Sequence, residues 1–254
     1  MSVLPFDVIF NIASYLDVCT LWALADTCRA YRYEFLESPS TWRRLVIDMK
    51  YCDVKLLYAS LRRFRDTNGL RPYVQEVVMD GNDSADISPI VMLVKFPNLR
   101  TLSARQRRFN TNIEADTKVL QDMIRNKQLQ PGTLPLMRVN IYHYNMMHEP
   151  HLAAFQRTLN RLSKHDSVSL DIRPCCDNGS LVDAMQRLHL DGPGCARVVS
   201  DEARCWACGY SFTYCFVCNP ICPGCRSKRL PPLANDQKIG KQNESEDDPD
   251  FSVF

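Results

Sequence analysis

Apolar residues near the start of the chain recur at helical spacing and form one stripe: Val8, Ile9, Ile12, Ala13 and Leu16. This pattern predicts an amphipathic helix that begins near Pro5, because proline suits the first turn of a helix. Asp17 can cap a second helix. A third is predicted over 30–36 and must end before Pro39, since the residue preceding a proline avoids helical geometry. Three short helices are therefore expected within residues 1–50.

Strand-like and helical stretches alternate through the middle of the chain. The predicted strands are Val74–Met79, Leu99–Ala104, Leu136–Ile141, Val168–Ile172 and Ala196–Val199. The predicted helices are Ile87–Phe96, Ala115–Lys127, His151–Leu162 and Leu181–Leu190. This order favours parallel strand–helix units over a sandwich. The stretch FPNLRTLSA (Phe96–Ala104) resembles a degenerate leucine-rich repeat, a class that stacks into a solenoid, and an ordinary small α/β domain is the alternative.

Charge and hydropathy exclude several classes of protein. The net charge of +2 gives no overall basic field of the kind that attracts nucleic acid. No apolar run approaches the ~20 residues of a membrane helix, and the first residues lack the pattern of a signal peptide. A cytoplasmic or nuclear protein without a membrane partner is expected. No glycine-rich phosphate loop, G-x-S-x-G or H-E-x-x-H occurs, so we expect no catalytic activity in the chain itself.

Six of the twelve cysteines form three C-x-x-C pairs in CWACGYSFTYCFVCNPICPGC: Cys205/Cys208, Cys215/Cys218 and Cys222/Cys225. Two intervening residues let both thiolates face one ion, and zinc accepts four thiolates tetrahedrally at ~2.3 Å. In a reducing compartment such pairs indicate metal binding rather than disulfides. Ligation by thiolates alone predicts a closed structural site. Cys19 and Cys28 lie among apolar helical residues and are expected to be plain core thiols.

Which cysteines share an ion is left open by the spacing. The pair Cys205/Cys208 can join either Cys222/Cys225 or Cys215/Cys218. One zinc ion is expected, and a second would need two further ligands, for which the candidates are Cys175, Cys176, Cys195 and His189. Four aromatic side chains are expected to cover the ion: Trp206, Phe212, Tyr214 and Phe216.

A set of residues in the first helices resembles the F-box motif. It comprises Leu4-Pro5, Asp7, Ile9, Ile12, SYLD (14–17), Leu21, Thr27-Cys28-Arg29 and Trp42 after SPS. Three positions depart from the family pattern. Asp7 replaces the usual glutamate, Tyr31 or Tyr33 stands where a tryptophan is common, and Thr41 rather than leucine precedes Trp42. The cysteine-rich end and repeat-like middle are similar to those of fungal-type F-box proteins.

The resemblance implies a function. F-box proteins dock on the Skp adaptor of a cullin-RING (SCF-type) ubiquitin ligase and present a substrate held by their C-terminal part. It implies these adaptor-binding residues: Leu4, Pro5, Asp7, Ile9, Ile12, Leu16, Leu21 and Trp42. We expect Leu4, Pro5 and Ile9 to be the most exposed of them. Because three short helices cannot bury so many apolar side chains, we expect the adaptor to cover the surplus.

The predicted fold is a mixed α+β or α/β chain in four segments. They are the three-helix F-box (1–50), the strand–helix substrate-binding domain (51–200), the zinc-binding segment (201–226) and a tail (227–254). The tail holds an acidic run and few apolar residues, which predicts disorder.

Three further sets of residues bear on partners. RQRR supplies Arg105, Arg107 and Arg108 as a candidate contact for an acidic or phosphorylated substrate segment, with a solvated basic loop as the alternative. Arg226, Lys228 and Arg229 beside the cysteines support the alternative of a zinc ribbon that binds nucleic acid without a ligase role. His143, His148 and His151 are interpreted as parts of a loop.

A RING-like ubiquitin ligase is a further alternative. That fold needs eight ligands in a cross-brace, usually with one histidine, and no histidine lies between Cys205 and Cys225. Two zinc ions per chain would favour it.

Overall fold

A computed structural model describes residues 5–48, 53–65, 69–82, 87–107, 112–143, 146–147, 150–175 and 195–229. The chain divides into two compact units, Met1–Ile172 and Arg173–Phe254. The first unit thus contains both the predicted three-helix segment and most of the predicted strand–helix domain. Within the described residues, no helix has the length and apolar character needed to cross a bilayer.

Some predictions fall outside the described residues and stay predictions. They concern Leu4, Arg108, His148, Cys176, His189, the helix over Leu181–Leu190 and the tail beyond residue 229.

The first unit begins with three short helices, which confirms the prediction: α1 (Phe6–Ala13), α2 (Val18–Asp26) and α3 (Arg29–Glu37). Asp17 caps α2 by accepting hydrogen bonds from the N–H groups of Cys19 at 2.9 Å and Thr20 at 3.1 Å. At the start of α3 the sulfur of Cys28 accepts from the N–H of Tyr31. Cys28 is exposed and Cys19 is disulfide-bonded, so neither is the plain core thiol that we expected.

Five parallel strands follow in sequential order across one sheet: β1 (Arg44–Val46), β2 (Glu76–Val78), β3 (Thr101–Ser103), β4 (Arg138–Asn140) and β5 (Ser169–Leu170). The helices that alternate with them are α4 (Val54–Arg62), α5 (Val91–Lys95), α6 (Ile113–Arg125) and α7 (Pro150–Leu162). The parallel strand–helix alternation is therefore confirmed. One row of apolar residues crosses the sheet in register: Leu45, Val77, Leu102, Val139 and Leu170.

Aromatic side chains join the three helices to the sheet. Trp42 is fully buried, stacks on Trp22 at 4.2 Å between ring centroids, and donates from Nε1 to the carbonyl of Phe35 at 2.7 Å. Phe64 packs edge-on against both tryptophans at 5.4 Å and against Phe96 at the same distance. The rest of the first unit therefore covers much of the apolar surface that we expected an adaptor to cover.

The predicted substrate contacts Arg105 and Arg107 are not on an open basic loop. Arg107 is buried at 5% exposure. Arg105 donates from Nε to the fully buried carboxylate of Asp171 at 2.7 Å. The same carboxylate accepts from the backbone N–H of Ile141 at 2.7 Å, and burial raises the pKa of Asp171 despite these hydrogen bonds. Arg105 thus stabilises the edge of the sheet where the parallel strands end.

Candidate metal centre and exposed face of the first helix

The second unit starts from a pair of strands that brings two distant cysteines together. β6 (Ile172–Pro174) pairs with β7 (Val198–Ser200), and the N–H of Cys175 donates to the carbonyl of Arg197 at 2.8 Å. Cys175 directly follows β6 and Cys195 precedes β7. The pairing of the strands therefore places these two thiols at the same end of the ribbon.

Two C-x-x-C pairs lie in turns of matching construction. In each, the residue before the first cysteine forms an antiparallel bridge with the third residue after the second: Arg204 with Ser211, and Ile221 with Lys228. The residue after the second cysteine has a left-handed backbone, with φ of 72° at Gly209 and 62° at Arg226. This sharp reversal turns both sulfurs of a pair toward one point.

The structure gathers eight cysteines into two clusters. Cluster A is Cys175, Cys195, Cys215 and Cys218, and cluster B is Cys205, Cys208, Cys222 and Cys225. Within each cluster all four sulfurs lie within 4.8 Å of one another. The Sγ–Sγ distances are 3.8 Å for Cys195–Cys215 in cluster A, and 3.7 Å and 3.6 Å for the contacts Cys205–Cys225 and Cys208–Cys222 in cluster B.

These distances match the geometry of a tetrahedral ion. Four sulfurs at ~2.3 Å from a central zinc stand about 3.8 Å apart along the edges of the tetrahedron. A disulfide would bring two sulfurs to about 2.05 Å, and none of the eight cysteines is in a disulfide. Both clusters can therefore hold a metal ion.

The clusters resolve the alternatives that the spacing left open. Cys205/Cys208 joins Cys222/Cys225, not Cys215/Cys218. The pair Cys215/Cys218 joins Cys175 and Cys195, two of the four residues considered for a second ion. The spacing of the C-x-x-C pairs could not identify Cys175 and Cys195, because only the pairing of β6 with β7 brings them to that pair.

The thiols perturb one another within each cluster. Burial and the adjacent sulfurs of Cys195 and Cys215 raise the pKa of Cys218 to about 12. Hydrogen bonds from the side chain and backbone of Ser227 lower the pKa of Cys225 to about 6. Four thiolates so close together repel one another unless a cation lies between them.

Aromatic and cationic side chains support the clusters unequally. Phe212 is buried against Cys205 and Cys222, as expected for a residue that covers an ion. Trp206, which we also expected to cover the ion, is instead 63% exposed to solvent. Arg229 is buried, its guanidinium stacked on the Phe212 ring at 3.7 Å.

In the first unit, α1 presents an apolar face to solvent. Val8 is 43% exposed, Ile12 46% and Tyr15 83%, and the preceding Pro5 is also exposed. Their spacing of four and then three residues keeps the three side chains on one side of the helix and of the turn that follows it. Val8 and Tyr15 were not among the predicted adaptor contacts, although this spacing could have identified them.

The other predicted adaptor residues are distributed between core and surface. Ile9 is only 3% exposed, so the expectation that it would be among the most exposed of these residues is wrong. Leu21 and Trp42 are also buried, whereas Leu16 is half-buried and Asp7 is exposed. Ile9 is buried together with Ala13, which follows it by four residues on α1.

A groove of about 640 Å³ lies beside α1 and the edge of the sheet where the strands begin. Arg43, Arg44 and Arg100 line it and are exposed. Arg44 is paired with Glu76 at 3.4 Å, while the side chains of Arg43 and Arg100 form no ion pair with any described residue. The hydroxyl of Thr41, which also lines the groove, has no hydrogen-bond partner among the described residues.

Comparison with known proteins identifies one region. Residues 1–48 match the F-box-like family model, which supports membership of the F-box protein family. Domains of this kind generally bind a Skp adaptor. No curated protein and no solved structure matches the chain.

Proposed function

We propose that the chain is a substrate receptor of an SCF-type ubiquitin ligase, docking on a Skp-family adaptor through α1. The match of residues 1–48 to the F-box-like family carries this proposal. The exposed Pro5, Val8, Ile12 and Tyr15 form the contact surface, with Asp7 beside them. The buried residues Ile9, Leu21 and Trp42 hold the helices in place rather than touching the adaptor.

The decisive experiment measures adaptor affinity for the double variant Val8→Asp/Ile12→Asp. Covering the exposed half of one such side chain contributes about 1 kcal/mol, and an aspartate at the interface adds a desolvation cost, so the double variant should weaken binding by about 30-fold or more. Val91→Asp is a matched control, because Val91 in α5 is 44% exposed but lies in another part of the unit. Titration calorimetry with a purified Skp-family adaptor gives the dissociation constants. Equal affinities for the double variant and the control would contradict the proposal.

The chain itself performs no chemistry in this proposal. It works in the cytosol or nucleus by holding a protein substrate near the ubiquitin-conjugating enzyme that the cullin recruits, so its contribution is proximity. The strand–helix region, which we interpret as degenerate leucine-rich-like repeats because its strands are parallel and sequential, and the cysteine-rich unit are the parts left to hold that substrate.

The arginine-lined groove is our candidate for the substrate contact, in place of Arg105 and Arg107. The guanidinium groups of Arg43 and Arg100, which form no ion pair with a described residue, suit a carboxylate or phosphate. The test measures how tightly a library of peptides, with and without phosphoserine, binds to the wild type and to the double variant Arg43→Ala/Arg100→Ala. We expect at least fivefold weaker binding of the acidic or phosphorylated members, and no change for Arg125→Ala on α6, where the side chain is 77% exposed. Peptide affinities that are the same for the double variant and the wild type would exclude the groove as the substrate contact.

We also propose that cluster B holds a structural zinc ion. Its four ligands are all thiolates, which leaves no open position for catalysis. This ion would stabilise a segment that has little apolar core of its own. Zinc analysis of the purified chain, with Cys208→Ser/Cys225→Ser as the variant that removes two ligands, tests the assignment. Zinc content unchanged by the double substitution would refute it.

A second candidate function is suggested by the order of the ligands. The two clusters alternate along the chain, as in the cross-brace of RING-like ligases, although all eight ligands here are cysteines. An assay with purified activating enzyme, conjugating enzyme and ubiquitin, but no cullin, separates the two functions. A receptor forms no ubiquitin conjugates under these conditions, whereas a ligase does.

The nucleic-acid alternative loses much of its support. Arg229, one of three basic residues in its patch, is buried and donates to the carbonyls of Tyr214, Cys215 and Asn219. Only Arg226 and Lys228 of that set remain exposed. Two charges give weak electrostatic attraction to a phosphate backbone.

A further inference from the structure

We propose that cluster A is a second zinc site and that it fills together with cluster B as one cooperative unit. This inference shares with the proposed function only the assumption that cluster B binds zinc. It is independent of adaptor docking.

The donor set of cluster A suits zinc. Its four thiols lie within 4.8 Å of one another, and the Cys195–Cys215 sulfur distance of 3.8 Å equals the expected tetrahedral edge. Tetrahedral four-sulfur sites in proteins hold zinc or iron. No histidine or carboxylate belongs to the cluster, so the site is closed and structural.

The surroundings of cluster A fix its sulfurs in place. Cys175 and Cys215 are buried, and Val199 of β7 packs against both. The backbone N–H of Cys215 points at the sulfur of Cys175 at 3.1 Å, and that of Cys218 points at the sulfur of Cys215 at 3.4 Å. Such N–H contacts stabilise thiolate charge and orient metal ligands.

The ligands of the two clusters alternate along the chain. Cys175 and Cys195 of cluster A come first, then Cys205/Cys208 of B, Cys215/Cys218 of A and Cys222/Cys225 of B. An ion in cluster A closes the loop from 195 to 215, which carries the first pair of cluster B. An ion in cluster B closes the loop from 208 to 222, which carries the second pair of cluster A. Each ion therefore shortens the loop that the other must close, which lowers the entropic cost of the second binding step.

Arg229 ties the two clusters together directly. Its backbone follows Lys228 in the turn of cluster B, and its N–H donates to the carbonyl of Pro220. Its Nη1 donates to the carbonyls of Cys215 at 3.2 Å and Asn219 at 2.7 Å, in the turn of cluster A. The ordering of one turn thus positions the other.

The test counts metal ions in the full-length chain. Inductively coupled plasma and native mass spectrometry should give two zinc ions per chain, released together in a single transition as a chelator is added. In Cys175→Ser, which removes one ligand of cluster A, the ion of cluster B should leave at a chelator concentration at least tenfold lower than in the wild type. Cys28→Ser is the control: Cys28 is an exposed cysteine outside both clusters, and its variant should behave as the wild type.

Arg229→Ala provides a variant that keeps all eight thiols. It should still bind two ions at saturation, but their release should separate into two steps. Far-UV circular dichroism of each variant, compared with the wild type, shows whether the helices of the first unit remain folded.

The outcomes separate the proposals. If the wild type binds one ion and Cys208→Ser/Cys225→Ser loses it, the second site is overturned and the zinc site of cluster B is supported. Release of the two wild-type ions in two separate transitions, or an ion of cluster B that Cys175→Ser leaves as resistant to chelator as in the wild type, overturns the coupling. A single release transition in Arg229→Ala overturns the role of Arg229 in that coupling. Iron in place of zinc overturns the choice of metal. A chain without bound metal overturns both zinc sites. Adaptor binding is tested separately, by the calorimetric titration.

Discussion

Replacing Trp42 by alanine tests whether the N-terminal helices are held by the rest of their unit or left for a partner to cover. Trp42 is fully buried against Trp22 and Phe64, and its Nε1 donates to the carbonyl of Phe35. The substitution removes an aromatic ring that joins the helices to the sheet. It should therefore destabilise the whole first unit, not only its first helices.

The expected loss follows from the burial of the side chain. A fully buried tryptophan truncated to alanine costs about 3–5 kcal/mol through lost transfer energy and the cavity that remains. Trp42→Phe keeps part of the packing and loses the hydrogen bond, which by itself contributes about 1 kcal/mol. The milder variant should thus lie between the wild type and Trp42→Ala.

Urea unfolding followed by far-UV circular dichroism measures this loss. With a slope of roughly 2–3 kcal/mol/M, the midpoint for Trp42→Ala should fall by about 1–2 M. Trp206→Ala is the matched control, since this tryptophan is 63% exposed and should cost less than about 1 kcal/mol. A stable Trp42→Phe variant should bind the adaptor with unchanged affinity. Unchanged stability combined with lost adaptor binding would show instead that Trp42 is a contact residue.

Three other predictions concern single positions and the metal. Asp171→Ala should cost about 3–5 kcal/mol in urea unfolding, because it leaves Arg105 without its buried partner. Burial raises the pKa of Asp171 above 3.8. Its stabilising contribution is therefore full below pH 3.8 and declines as the pH rises through the folded-state pKa, and Asp171→Asn should remove this pH dependence. Gly209→Ala should cost about 1–2 kcal/mol at φ of 72°, measured as weaker zinc retention against a chelator, with Gly209→Asn milder. Chelation should expose the second unit to proteolysis while the far-UV signal of the first unit persists.

Most elements could be predicted from local sequence pattern, but β1 and α4 could not. The stripe of α1, the Asp17 cap and the order of strands from Val74 onward have clear local patterns. β1 (Arg44–Val46) lies within residues 1–50, which the motif resemblance assigned to the three-helix segment. In α4, Leu56 and Tyr58 are apolar but exposed, so the apolar positions do not form one clear stripe. Local pattern therefore indicated the parallel strand–helix architecture but not its first strand, β1, or the helix α4 that follows it.

Exposure within a helix depends on what packs against it, which local pattern does not contain. The motif resemblance placed Ile9 and Trp42 on the adaptor surface, but Phe64 and Phe96, far along the chain, cover the aromatic core that includes Trp42. What remains exposed on α1 is the neighbouring set Val8, Ile12 and Tyr15. A motif therefore identifies the helices that meet a partner, whereas only the packed unit shows which side chains are available to it.

The metal clusters illustrate the same dependence at longer range. The three C-x-x-C pairs are visible in the sequence, yet they cannot be divided between ions without knowing that Cys175 and Cys195 meet at the end of the β6–β7 ribbon. Once those two cysteines join Cys215/Cys218 in one cluster, the remaining pairs, Cys205/Cys208 and Cys222/Cys225, form the other cluster. The arrangement of the whole unit thus follows from one strand pairing, and for this reason a substitution at Cys175, outside every C-x-x-C pair, should loosen the ion bound by Cys205 and Cys222.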